Sequence, residues 1–282
     1  MLTVIIPSYN EENYIVACLE AVRTQAGLPE NHGIQVIVAA NGCHDRTIVR
    51  AKEKATALGD QGFHLVVLDI VRGNKMNALN EAEAVATYET RAFLDADVVL
   101  SSYVLAELLQ ILSADEPRYA SGTISIPRPK SVVSRAYAKV WTNLPFVRDG
   151  VPGIGLYAMS AKGRARWAKF PEIYSDDRFV RLQFSPHERF KTEATYDWPL
   201  PEGFANLAHV RHRWVEGNME LAEQYPELMM NDSQRNKNGS NIWSLFLTPF
   251  SSVIFVLVFA VSNIRASRTK NGEAFVWRRG RD

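Results

Sequence analysis

Cysteine is nearly missing from this chain: only Cys18 and Cys43 occur in 282 residues, and they form no CxxC pair. A disulfide-stapled scaffold and a cysteine-rich zinc site are therefore excluded. Charge of one sign is missing too. Thirty-two Lys and Arg oppose 31 Asp and Glu for a formal net charge of +1, which speaks against a nucleic-acid binder with its broad basic excess. No glycine-rich phosphate loop follows the first apolar run, where "IPSYNEE" stands instead. The glycines of "GVPGIGLYAMS" (150–160) make an incomplete GxGxxG, too late in the chain for a dinucleotide fingerprint. A basic lead and small-residue cleavage site are lacking before "LTVIIPSYN", so the expectation is a polar part that stays in the cytoplasm.

What is present is a core-forming composition, 46% hydrophobic, arranged as alternating strand and helix patterns. The strand candidates are "LTVIIP" (2–7), "IQVIVAA" (34–40), "FHLVVLDI" (63–70) and "TRAFLDAD" (90–97). Helical periodicity fills the gaps: Ile15, Cys18, Leu19 and Val22 form one stripe, with Asn10 as the expected N-cap. A second helix is expected over "DRTIVRAKEKATALG", a third over "NKMNALNEAEAVATYE", and a fourth over "SSYVLAELLQILSAD". Repeated β-then-α predicts an α/β fold, a mainly parallel central sheet flanked by helices. Right-handed crossovers bring the C-terminal strand ends to one edge, where open α/β sheets bind ligands. That edge carries "PSYNEE" (7–12), "NGCHD" (41–45), "VRGNK" (71–75) and "DAD" (95–97).

The later chain reads as a strand and turn over 118–129, a helix over "SVVSRAYAKVWTNL", a helical "KGRARWAKF", a strand-like 190–201 and a helix over 208–218. One continuous domain is expected over 1–230, with 1–115 as a nucleotide-sugar half and 116–230 as an acceptor half. The tail differs, because 241–264 has no charged residue and suffices to span a hydrocarbon core of about 30 Å. The basic tail 265–282 holds six Lys and Arg against two acids: Arg265, Arg268, Lys270, Arg278, Arg279 and Arg281 against Glu273 and Asp282. A single span would export that charge from the cytoplasm, against the positive-inside tendency; a helix lying in the interface would keep it near anionic headgroups. Membrane attachment is expected, its geometry open.

Several residues carry chemistry. Asp95 and Asp97, two apart at the end of an apolar strand, point the same way if the strand persists, and their hard oxygens suit Mg²⁺ or Mn²⁺ bound to a diphosphate. Lys75 offers a point charge to phosphates. Asp176 and Asp177 in "SDDRFV" form a second acidic pair; either one of them is a base able to take a proton from a hydroxyl, or both are solvated caps of the helix after Ser175. Asn41 presents both donor and acceptor to a base edge. His209 and His212 are either metal ligands or partly buried helix residues.

Taken together, "VIIPSYNEE", "VIVAANGCHDRT", "RGNKMNALN", "FLDADVVL", "YSDDRFV" and "RHRWVEGN" resemble the family-2 glycosyltransferases, inverting enzymes of the GT-A nucleotide-diphospho-sugar transferase fold, over residues 4 to about 218. The resemblance implies that Pro7, Tyr9 and Glu12 line a uridine pocket, that Asp45 matches a later family aspartate (a helix cap is the alternative), and that Gly153 lies in the loop under the donor sugar. It also implies that Asp97 is the metal ligand with Asp95 close to the nucleotide, that Asp177 is the catalytic base with Asp176 beside it, and that Arg213 and Trp214 offer phosphate contact and a stacking face. The chain departs from the family string at Ala40 and Asn41, where paired aspartates are commoner, and at Val210, where a glutamine is usual. The implied activity is transfer of a sugar, expected from a UDP-sugar donor, to a hydroxyl of a lipid-linked or glycan acceptor at the cytoplasmic face of a membrane. An inactive sugar-nucleotide-binding scaffold and a sugar-nucleotide nucleotidyltransferase are the alternatives.

Overall fold

The four apolar runs become four parallel strands. In a computed structural model, which describes residues 1–232 and 249–268, β1 (Leu2–Ser8), β2 (Ile34–Asn41), β3 (Phe63–Ile70) and β4 (Arg91–Leu94) pair in the order β3–β2–β1–β4. They are joined through α1 (Ile15–Arg23), α2 (Thr47–Lys52), α3 (Ala55–Gly59) and α4 (Lys75–Ala84). Helix α1 buries the expected stripe of Ile15, Cys18, Leu19 and Val22. Strand β2 is buried at every residue, as a strand covered on both faces must be.

Beyond β4 the sheet turns mixed. Strand β5 (Val99–Leu100) is followed by α5 (Val104–Leu112) and β6 (Tyr119–Ser125); the chain then forms α6 (Val132–Trp141) and α7 (Pro145–Arg148) before β7 (Leu156–Met159). Helix α8 (Ala161–Arg164), α9 (Asp176–Leu182), β8 (Arg189–Asp197), α10 (Gly203–Gln224) and α11 (Pro249–Arg268) complete the described elements. The eight-strand order is β3–β2–β1–β4–β7–β6–β8–β5. Strand β7 runs antiparallel to both β4 and β6, and β5 antiparallel to β8, while β6 and β8 are parallel.

Three expectations change. The helix over "DRTIVRAKEKATALG" breaks into α2 and α3. The helix over "KGRARWAKF" shrinks to one turn, because the Arg164 guanidinium folds back to donate to the carbonyls of Trp167 and Ala168. Asn10 is not the N-cap of α1. It takes a left-handed backbone, φ 53°, which asparagine tolerates, and its Oδ1 accepts from the His44 N–H at 2.8 Å instead.

The chain divides into two compact units. The first (Met1–Ser125, Gly153–Glu172 and Gln183–Trp198) holds the whole sheet. The second (Ile126–Pro152, Ile173–Leu182 and Pro199–Asp282) is helical among its described residues. Within it α11 packs on α6 and α10: Phe255 stacks on Tyr137 with ring centroids 5.1 Å apart, and the Arg211 guanidinium lies 4.2 Å over Phe259. The buried Arg181 donates to the Val151 carbonyl at 3.0 Å and faces Asp232, which also pairs with Arg178 at 2.8 Å. Of the expected apolar segment 241–264, residues 241–248 lie outside the described residues, as do 269–282 of the basic tail. The rest is α11, whose Pro249–Ala266 stretch is long and apolar enough to cross a membrane by length and composition.

One ion pair in the first unit sets an acid response. Ser185 and Glu188 form a capping box before β8, and Arg166 grips the Glu188 carboxylate. Burial pushes that carboxyl up, but the Arg166 guanidinium and the hydroxyl and N–H of Ser185 outweigh it and hold it at about 2, against an ordinary 4.5. A depressed folded pKa contributes stability above the unfolded value and loses it as pH falls through the folded one. Urea unfolding should therefore show the wild type losing about 1–2 kcal/mol from this group between pH 4.5 and 2, solvent screening of the pair reducing the effect, with Glu188→Gln less stable at neutral pH and flatter across that window.

Candidate active site

The strand ends of the first unit are clasped to one another by backbone hydrogen bonds. The Glu12 N–H donates to Asp45 Oδ2 at 3.1 Å, and Glu12 Oε2 accepts from the Arg46 N–H at 3.1 Å. Asp45 Oδ1 also accepts from the Thr47 N–H at 2.9 Å, so Asp45 braces the residue that opens α2, whose N-cap position is Arg46. Glu11, whose N–H donates to Thr47 Oγ1 at 2.7 Å, is buried rather than a solvated dipole partner. Pro7 sits past the last β4 partner of β1, where a missing N–H costs no ladder bond on that side. Tyr9 follows it, half-buried. Asn41 is 3% exposed, and its Oδ1 accepts from the Asn74 N–H at 2.6 Å, so that oxygen ties β2 to the start of α4 instead of facing a base.

The two acids do not lie on a strand face. Strand β4 stops at Leu94, and Asp95–Val98 is a turn closed by the Val98 N–H donating to the Asp95 carbonyl at 3.1 Å. Ala96 and Val98 are buried while Asp95 and Asp97 are half-exposed. Lys75, the first residue of α4, places its Nζ 3.4 Å from Asp95 Oδ1. Beneath them lies the fully buried Cys18, which the sequence did not mark. Burial first, then the charges of Asp95 and Glu11, hold its thiol far above its usual range, so it stays protonated. Among the described residues no three His, Cys, Asp or Glu gather to hold a metal. Two half-exposed carboxylates with no third protein ligand suit an ion that takes its other oxygens from a diphosphate and water, the usual mode of Mg²⁺.

The glycine loop reaches this rim. The Asp95 N–H donates to the Gly155 carbonyl at 2.8 Å. Gly153 and Gly155 have φ of 73° and 76°; a Cβ would fall 1.7 Å from Tyr119 Oη at the first and 2.7 Å from Trp198 Cδ1 at the second. Only glycine fits either place.

In the second unit, Asp176 and Asp177 open α9, Asp176 buried and Asp177 half-exposed with its Oδ1 accepting from the Arg178 N–H. Their segment is pinned to α10. Glu220 Oε2 accepts the Tyr174 N–H at 2.7 Å, and burial then raises the Glu220 carboxyl above its usual range. Gly217 admits Ser175: a Cβ there would meet Ser175 Oγ at 2.1 Å, Tyr174 Cβ at 3.0 Å and Ser175 Cβ at 3.1 Å. Trp214 stacks on Trp141 at 6.4 Å, so one of its faces is covered. Arg213 lies on the same helix; its charge draws down the Tyr174 hydroxyl, which burial, Glu216 and Glu220 together raise. His212 pairs with Glu216 at 3.3 Å and, with His209, gains no metal-binding third partner among the described residues.

Residues 3–150 match the sequence profile described as glycosyl transferase family 2. No curated protein matches the chain. Similar solved structures include the mannosyltransferase PcManGT from Pyrobaculum calidifontis in complex with GDP-Man and Mn²⁺, at 20% identity and TM-score 0.58, covering 93% of this chain and 75% of that one. S. aureus TarS has 15% identity and TM-score 0.52; the match covers 95% of this chain and only 54% of TarS. Glucosyl-3-phosphoglycerate synthase from Mycobacterium tuberculosis in complex with phosphoglyceric acid has 16% identity and TM-score 0.52, with 79% of each chain covered. At these identities the likeness is one of fold.

Gly217 tests how the second acidic pair is held. Alanine is the better helix former by about 1 kcal/mol, yet its methyl must displace two Cβ atoms as well as a hydroxyl. Gly217→Ala should therefore cost about 1–3 kcal/mol in urea unfolding, and Ser175→Gly in the same chain should recover part of it.

Proposed function

Because the chain belongs to glycosyl transferase family 2, we propose that it is an inverting, divalent-metal-assisted enzyme. It moves one sugar from a nucleotide diphosphate, expected to be a UDP-sugar, to a hydroxyl of a lipid-linked or glycan acceptor at the cytoplasmic face of a membrane. The observation that carries this reading is the rim of the first unit, where Lys75 pairs with Asp95 just past the end of β4 and Asp97 follows, half-exposed, in the same turn.

Each residue has a task in that reaction. Pro7, Tyr9 and Glu12 border the nucleoside, with Asn41 and Asp45 fixing the loops that present them. Lys75 leaves Asp95 for the donor phosphates. The loop of Gly153 and Gly155, packed against Tyr119 and Trp198, lies under the sugar. Asp97, with Asp95, would hold Mg²⁺ or Mn²⁺, which supplies positive charge to the departing diphosphate. Asp177 takes the acceptor hydroxyl proton as its oxygen bonds the anomeric carbon and the bond to the diphosphate breaks. One displacement inverts that carbon and releases a nucleoside diphosphate. Arg213 and Trp214 serve the acceptor side. Solved structures of this fold hold GDP-Man with Mn²⁺ in one case and UDP-GlcNAc in another, so base choice is what a donor screen must read. Ala40, Asn41 and Val210 favour a second reading, a scaffold that binds donor without turnover; release of nucleoside diphosphate separates the two.

Thermal shift across UDP- and GDP-sugars, with and without Mn²⁺, should give a metal-dependent rise for one donor. Asp97→Ala should abolish the metal-dependent part, and an unchanged rise would remove Asp97 from the metal. Asp177→Asn should keep the rise while transfer falls about 10²–10⁴-fold. Normal turnover in that variant would place the base elsewhere.

A further inference from the structure

The second unit carries a cleft that the transfer reaction does not use. Its volume is about 620 Å³, and it lies between α6, the 126–130 segment before it, and the first turn of α11. Arg128, Arg135 and Lys139 stand on its walls, with Ile126, Val132 and Phe250 among its apolar lining. Arg135 is held in place, since its Nη1 donates to the carbonyls of Pro129 and Lys130. The nearby acid, Glu202, is turned to the backbone N–H groups of Lys130 and Ser131. No ion pair among the described residues engages the three cations.

Beside the cleft runs an apolar surface. Helix α11 buries Ser251, Val258, Ser262 and Ala266 on one side, yet exposes Phe250 (62%), Val253 (55%), Val256 (57%) and Ile264 (52%) on the other. Over 20 residues it is about 30 Å long. Its buried side is taken by α6 and α10, which bring Arg135, Lys139 and Arg211 along its flank. A helix crossing a bilayer in that company would carry those cations into hydrocarbon, which is costly. A helix lying in the interface leaves them at headgroup level.

We propose that the cleft binds the phosphate headgroup of an anionic membrane lipid, with the exposed side of α11 lying in the membrane interface. Cations without ion pairs beside an apolar stripe complement a phosphate attached to acyl chains. A second copy of this chain would cover the stripe but set cation against cation. The site stands independently of sugar transfer, so its test needs no donor.

The test is flotation of the full chain with phosphatidylcholine vesicles, with and without phosphatidic acid. Binding should favour the anionic vesicles. Arg128→Ala with Lys139→Ala should weaken it by about thirty-fold, the effect of two cations at an anionic surface. Lys52→Ala with Lys169→Ala, two exposed cations elsewhere, should change it less than about two-fold. Val256→Asp, placing charge on the exposed apolar side, should abolish flotation without lowering the thermal midpoint. Equal binding to neutral and anionic vesicles, or equal losses in the two double variants, would overturn the cleft. Self-association in place of vesicle binding would overturn the lipid as occupant.

Discussion

The rim of the first unit depends on where β4 stops. That strand is the seam of the sheet, parallel to β1 on one side and antiparallel to β7 on the other. As it ends, the Asp95 N–H bonds the Gly155 carbonyl, so Asp95 is positioned by backbone pairing rather than by a free loop. Pairing at that distance requires a loop with two left-handed glycines, one against Tyr119 and one against Trp198. Rigid support of this kind fixes where Asp95 leaves the sheet. The Asp95 charge is offset by Lys75, the first residue of α4.

Much of this was legible in the sequence, for identifiable reasons. Strands β1 and β2 are β-branched runs buried on both faces, β3 is an apolar run at the sheet edge, and the observed ends of all three fall within a residue or so of the expected ones. The seam was not legible, because β7 is the four residues "LYAM" and its partner β4 lies some sixty positions earlier. Asn10 looks like a cap in any local window; only its distant partner His44 shows why it turns left-handed instead. Gly217 carries no local signal either. Its reason is Ser175, more than forty residues away and in contact only after folding. Local physics was readable, and long-range contact was not.

The same distinction applies to α11. Composition alone cannot separate a span from a helix with one side packed, since both are apolar throughout. The partition appears only when Phe255 is seen on Tyr137 and Arg211 over Phe259. Apolar residues then divide into those that hold the second unit together and those that face outward, and only the latter call for a partner.

The departure at Ala40 and Asn41 can be argued the same way. Ala40 is fully buried and Asn41 nearly so. Carboxylates at these places would need cationic partners or neutralisation to offset their burial. The amide at 41 makes the needed bond without charge, accepting from the Asn74 N–H; Asn74 in turn caps α4 through the Asn77 N–H and thereby fixes where Lys75 begins. Asn41 thus acts on the rim through the backbone, as the first link of a chain ending at the Lys75–Asp95 pair. Nearby, the carboxylates of Glu12 and Asp45 are turned to backbone N–H groups. The open side is consequently less acidic than paired aspartates would make it.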